Sequence, residues 1–354
     1  MKATIGLMLL GALVFGISGV ISAQGSIPAW EAANPVIPLP DPPLGIDATF
    51  DDLDDPPTPA TVRLGRWLFY DKRLSGDGTI SCATCHIPEH AFSETSPVST
   101  GIREQKGKRK APSFINQAWA IYAHFFWDGR ASSLEEQALG PIANPIEMGN
   151  TCDAMIQTLS GIKGYANYFK EAFGTEEITK DRVTRAIADY ERTRMSGNSA
   201  WDRWKNGDED AVPQEVKKGD DLFFDKAGCN QCHLGQNLTD SDFHNLGIGW
   251  DPGTRTLSDE GRYVVTKVES DKGAFKTPTL RDVTKHPPYM HDGSLATLRE
   301  VVDHYNKGGN PNPYLSPKIK PLELTEDEVL ALVKFMEALD GEGYVDTAPA
   351  AFPQ

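Results

Sequence analysis

The sequence predicts a mainly α fold made of two tandem domains with long loops. Three observations carry that expectation. Apolar residues recur at helical spacing behind threonine or serine starts, and alternating strand patterns are nearly absent. In addition, one five-residue pattern, C-x-x-C-H, occurs twice, at Cys82–His86 and Cys229–His233, with a polar stretch, Asn206–Asp210, between the copies.

The elements follow in order. Met1-Lys2, an apolar run from Ile5 to Ile21 and then Ser22-Ala23-Gln24 read as a secretory signal of residues 1–23, with a small residue at the cleavage point. No later segment is long and apolar enough to span a bilayer, so the mature chain is expected in the periplasm, with no membrane attachment once the signal is removed. Residues 24–57 are rich in proline and aspartate and should form an extended arm rather than a helix. A first domain is expected over 58–207. It opens with a helix carrying Leu64, Trp67 and Leu68, and contains a second long helix from Thr179 through Val183, Ile187 and Tyr190 to Met195. A second domain is expected over 208–345. Ser294 opens a helix with Leu295, Leu298, Val301, Val302 and Tyr305 on one stripe, stopped by Gly308-Gly309. Thr325–Glu328 is a capping box for a last helix ending near Gly341. Residues 346–354 form a tail. Tyr263–Val268 is the best strand candidate.

Charge excludes one class of function. The net charge is −15, from 35 basic and 50 acidic residues, with no basic cluster, so nucleic-acid binding is not expected. An acidic surface instead favours a basic protein partner by electrostatic steering. Of the five cysteines, four belong to the two repeated patterns. Cys152, the fifth, reads as a partly buried free thiol at a helix start.

C-x-x-C-H is the attachment pattern of a c-type haem. Two thiols three apart on a helical turn can each add to a haem vinyl group, and the adjoining histidine then lies beneath the iron. A zinc ribbon needs the two cysteine pairs much closer in sequence, and a thioredoxin-like motif needs a βαβ context. The cofactors are therefore expected to be two covalently bound haem c groups. Cys82, Cys85, Cys229 and Cys232 would be the attachment residues, with His86 and His233 on the metals. The fold class becomes two tandem cytochrome c-type haem domains.

Further blocks are Phe125–Ala131, Leu134–Gln137, Asn144–Met148, Phe275–Val283 and Pro288–Gly293. With the two haem motifs, these closely resemble the bacterial di-haem cytochrome c peroxidase and MauG family, over roughly residues 58–341. The resemblance implies that the first haem is the peroxide site and that the second transfers electrons or stores an oxidising equivalent. It places Trp127 between the haems as an electron relay and Gln137 and Glu147 in the distal pocket. A carboxylate there suits peroxide cleavage, which needs a base that moves a proton from one oxygen to the other.

Three departures from the peroxidase pattern matter. The peroxidases carry a histidine in the loop matching Ser99–Gly107, where this sequence has none, so the first iron is expected to be open. Tyr305 stands where peroxidases have a methionine ligand and MauG has tyrosine, and a phenolate favours oxidised iron. His304 and Met290 are the nearby substitutes. Finally, the family often binds calcium between its domains through an asparagine where Lys110 stands here, with backbone carbonyls matching His286 and Pro288. An ammonium cannot coordinate calcium, so calcium is doubtful here, although the carbonyls that would complete its site can still be in place.

The resemblance implies an oxidoreductase with hydrogen peroxide as substrate. The partner is either a small periplasmic redox protein (a cytochrome c or cupredoxin) or a protein substrate oxidised at tryptophan or tyrosine. A plain electron-transfer cytochrome is the third possibility, but it has no use for a distal base.

Overall fold

The computed structural model describes residues 27–118 and 124–354; the expected signal segment lies outside them. The described residues form short α1 (Ala29–Ala33), then α2 (Pro59–Tyr70), α3 (Cys82–Cys85), α4 (Leu134–Ala143), α5 (Cys152–Ser160), α6 (Lys163–Phe173), α7 (Lys180–Arg192) and α8 (Ala200–Lys205). After these come α9 (Gln214–Phe224), strands β1 (Phe243–Asn245), β2 (Trp250–Asp251) and β3 (Thr256–Leu257), α10 (Tyr263–Thr266), β4 (Ala274–Lys276), α11 (Leu298–Asn306) and α12 (Glu326–Glu337). The strands make two small antiparallel pairs, β1 with β4 and β2 with β3. Helices dominate the regular structure, and long loops connect them.

Among the described residues two larger hydrophobic cores result, built mainly on either side of Asn206–Asp210. In the first, α2 starts at the Thr58 cap with Pro59 at its first position and buries Leu64, Trp67, Leu68 and Phe69. Helix α7 lays Val183, Ile187 and Tyr190 against it. Gly65 lets the two backbones meet, since a Cβ there would lie 1.8 Å from the Ala186 carbonyl oxygen. The second core repeats the device. Gly219 of α9 faces α12, where a Cβ would lie 2.1 Å from the Ala331 oxygen, and Phe223, Leu332 and Phe335 close the contact. In each core the first helix of the pair precedes its C-x-x-C-H turn, so the same helix crossing supports both motifs.

The N-terminal arm and the C-terminus tie these cores together. Arg281, completely buried, makes a bidentate pair with Asp202 of α8 at 2.8 and 2.9 Å and donates to the Gly45 oxygen of the arm at 3.1 Å. The tail returns to the first core: Arg66 grips Asp346 at 2.7 and 2.9 Å, and the Trp67 indole donates to the Ala351 oxygen at 3.2 Å.

Several sequence expectations change. Tyr263–Val268 is not a strand. Tyr263–Thr266 is a single helical turn ended by Lys267 in the left-handed region (φ 58°), and its valines are exposed. The paired strands are carried instead by segments with little alternation. Helix α11 begins at Leu298 behind the Thr297 capping box rather than at Ser294, because Leu295 pairs with Tyr289 across a turn. The Thr179 helix stops at Arg192 and the last helix at Glu337. The arm is mostly extended but holds the short helix α1.

Candidate di-haem site

Each C-x-x-C-H turn lies on the wall of a cavity. Ser81 and Thr84 box the start of α3, and the Cys229–Gln231 turn is tighter, of 3-10 form. All four motif thiols are free. Cys82, Cys85 and His86 line a cavity of about 700 Å³, and Cys229, Cys232 and His233 line one of about 210 Å³. The two histidines are oriented in the same way. His86 Nδ1 bonds the Phe92 carbonyl oxygen at 2.8 Å, and His233 Nδ1 bonds that of Leu238 at 2.9 Å. A carbonyl accepts only, so Nδ1 carries the proton and Nε2 keeps the lone pair that a metal needs. Burial lowers both imidazole pKa values, which keeps them neutral. Paired free thiols, a fixed neutral imidazole and an adjoining cavity fit a haem in both places.

Sequence comparison agrees. The sequence model for di-haem cytochrome c peroxidase matches residues 59–210. The methylamine utilization protein MauG of Methylorubrum extorquens is 43% identical over 298 residues, 83% of this chain and 82% of that one. The chain belongs to the di-haem cytochrome c peroxidase and MauG family. The cytochrome c551 peroxidase of Nitrosomonas europaea is 37% identical over 281 residues, 79% and 80% of the two chains. Among solved structures, a MauG-like protein associated with microbial copper homeostasis superposes with a TM-score of 0.75 at 32% identity, covering 89% of this chain and 97% of that one. Membership makes the chain a peroxide-related oxidoreductase with two haem cofactors.

The two cavities of this di-haem protein present different surfaces. Gln137 and Glu147 both line the first. Gln137 comes from α4, capped by Ser133, and Glu147 from the turn that follows it. Asn144 Nδ2 donates to Glu147 Oε1 at 2.8 Å. Burial raises the Glu147 pKa, opposed by the nearby Arg130 charge and the Asn144 bond. The loop Ser99–Gly107 folds against this turn: the Ile102 N–H donates to the Glu147 oxygen at 2.8 Å, and Gln105 Nε2 reaches the Pro145 oxygen at 3.3 Å. Among the described residues, His86 is the one histidine lining this cavity. His90 bonds the Lys285 oxygen at 3.0 Å, and His124 lies against Arg262 and Phe243.

Around the second cavity lie Tyr305, Met290, His244, His286 and His291. Tyr305, on α11, lies within electrostatic reach of both Cys229 and Cys232, and burial raises its phenol pKa, with those thiols adding to the effect. His304, the neighbouring alternative, is turned away and bonds the Leu246 oxygen at 3.0 Å. His291 stacks on Phe275 at 3.5 Å, and His286 is within reach of the Lys110 charge. Cys232, Asp240 and His244 group as metal ligands do, but the bond from His244 to Asp240 at 3.0 Å and the place of Cys232 in the haem motif account for that grouping.

Trp127 lines both cavities. Its indole N–H donates to the Lys110 oxygen at 2.8 Å, and its own oxygen accepts from the Lys276 N–H at 2.8 Å. Sequence reasoning missed Glu191. It lines the first cavity and is buried, its Oε2 has no hydrogen-bond partner among the described residues, and burial pushes its carboxyl up to about 8. The signal was a charge beside Tyr190 on the buried side of α7, easily read as solvent-facing. Cys152 is the first residue of α5, half-buried and free, as its sequence context suggests.

Proposed function

We propose that the chain is an exported, periplasmic di-haem c-type peroxidase, its signal being residues 1–23, that activates hydrogen peroxide in the first cavity. One observation carries this reading most: the half-buried Glu147 carboxyl and the Gln137 amide line the cavity of His86, and among the described residues no second histidine lines it. The four motif cysteines would bind the haems covalently, with His86 and His233 beneath them and residues 58–207 and 208–345 as their domains. Bound haem supplies the redox chemistry that splits the peroxide bond. Glu147 takes a proton from one peroxide oxygen and returns it to the other, which departs as water. Its raised pKa brings it closer to neutral pH than an ordinary carboxylate and so suits both steps. Asn144 fixes the carboxylate rotamer, and the Gln137 amide orients the peroxide.

Tyr305 lines the second cavity together with His233 and would be the further protein ligand of a haem held there. Burial raises its phenol pKa, so a phenolate there would need a cationic partner, which the oxidised iron of a bound haem would supply. Trp127, which lines both cavities, relays electrons between them. A second reading, a MauG-like oxidase that draws electrons from tryptophan or tyrosine of a partner protein, is favoured by Tyr305 and by the 43% identity to MauG. The two readings share peroxide activation. In the first, a cytochrome c or cupredoxin supplies the electrons.

Adding one equivalent of peroxide to the fully oxidised protein tests the shared step. Reaction without prior reduction is expected, since no histidine blocks the first cavity. A protein that reacts only after reduction contradicts the reading. Turnover with reduced cytochrome c then separates the peroxidase from the oxidase.

A further inference from the structure

Lys110 joins the two halves of the molecule through its backbone N–H and its ammonium, and holds Trp127 of its own half through its carbonyl. It is buried, 4% exposed. Its N–H donates to the His291 oxygen at 2.8 Å, and its oxygen accepts the Trp127 indole proton at 2.8 Å. Its ammonium donates to the His286 oxygen at 2.6 Å and to the Pro288 oxygen at 2.8 Å. Two backbone carbonyls converging on one point make a site for a cation. Here a side chain supplies that cation, so a calcium ion does not fit: the ammonium already holds both oxygens. Burial pulls the Lys110 ammonium pKa down to about 8, and the nearby Glu94 carboxyl, which accepts from the Ala111 N–H at 2.6 Å, opposes that and favours the charged form.

We infer that the Lys110 ammonium is a built-in cation which replaces a bound metal ion between the halves and is the positioning residue for Trp127. It clamps the segment 286–291 of the second half onto Lys110–Pro112 of the first. The same residue's carbonyl fixes the indole ring between the cavities. The consequence is a junction that neither needs calcium nor loses it to a chelator. Removing the ammonium leaves the two carbonyl oxygens buried without a donor, so the segment must shift or recruit another cation. The kinetic consequence rests on the relay reading of Trp127; the cation claim does not.

The test uses the full mature protein with both haems. Wild type is expected to bind no calcium by titration calorimetry, and its inter-haem electron-transfer rate should be unchanged by EDTA. Lys110→Met, which keeps the apolar stem, should slow that transfer by about tenfold, the lower range for loss of an outer-shell partner. Lys110→Ala should be slowed likewise and recover with added propylammonium, and Lys110→Asn should bind calcium and recover with it. Melting temperature, measured alongside, identifies any variant that fails to fold. Calcium binding by wild type overturns the inference, as does a folded Lys110→Met with the wild-type rate. Slowing that neither propylammonium nor calcium reverses also overturns it, since packing alone then explains the residue. If Trp127→Phe leaves the rate unchanged, the relay reading fails, and calorimetry on wild type and Lys110→Asn still decides the cation claim.

Discussion

The two cavities share one C-x-x-C-H pattern, one histidine orientation and one supporting helix crossing, yet the rest of their walls diverge. The first has about 700 Å³ and is lined by Gln137, Glu147 and Arg130, whereas the second has about 210 Å³ and is lined largely by apolar side chains together with Tyr305. The difference teaches where specialisation lies in this fold. The proximal side is set by local sequence, because a contiguous C-x-x-C-H and a carbonyl six residues on (Phe92) or five residues on (Leu238) are enough. The rest of each wall comes from far along the chain, with Gln137 on α4 and Glu147 in the turn after it at the first cavity and Tyr305 on α11 at the second.

The contrast can be broken most strongly at Glu147. Glu147→Gln keeps the shape but removes the base, and the peroxide rate constant should fall by about 10²–10⁴-fold in stopped-flow mixing. The spectrum of the second haem should not change; if the rate is unaltered, Glu147 is not the base. Tyr305→Met acts on the other cavity alone. It should raise the potential of the second haem by on the order of 0.1 V, within the roughly 0.8 V that axial ligands command. Spectroelectrochemistry checks this, and an unmoved potential removes Tyr305 from the iron.

A pH series sharpens the comparison with a smaller effect. Burial raises the Glu147 pKa, and the deprotonated form is the base, so activity is present above that pKa and lost as pH falls through it. The rate should drop by up to about tenfold per pH unit on the acid side, beginning above the usual carboxylate range. Glu147→Gln should flatten that limb. Gln137→Leu should have the smallest effect, roughly fivefold on the same rate constant, as expected for about 1 kcal/mol from one hydrogen bond.

Much of this was legible in the sequence where the chemistry is contiguous. The haem turns, the caps at Thr58, Thr179 and Thr325, and the distal candidates needed only local pattern or family blocks. Leu295 was misassigned because it continues the apolar stripe of α11, while the backbone at Tyr289 captures it before the Thr297 cap. The repeat of helix crossings was invisible because Gly65 and Gly219 act through backbone approach, which leaves no repeated side-chain pattern. Lys110 could be read only as a residue unable to hold calcium. Its carbonyl partners lie 176 and 178 positions away, and only the folded chain brings them to the ammonium.

The central claim is that one iron is open and the other closed by Tyr305. Low-temperature EPR of the fully oxidised resting protein tests it most directly. Two unequal signals are predicted: a high-spin one from the first haem, and a low-spin one from the second that shifts in Tyr305→Met while the first stays fixed. Two low-spin signals in the resting protein would contradict the account.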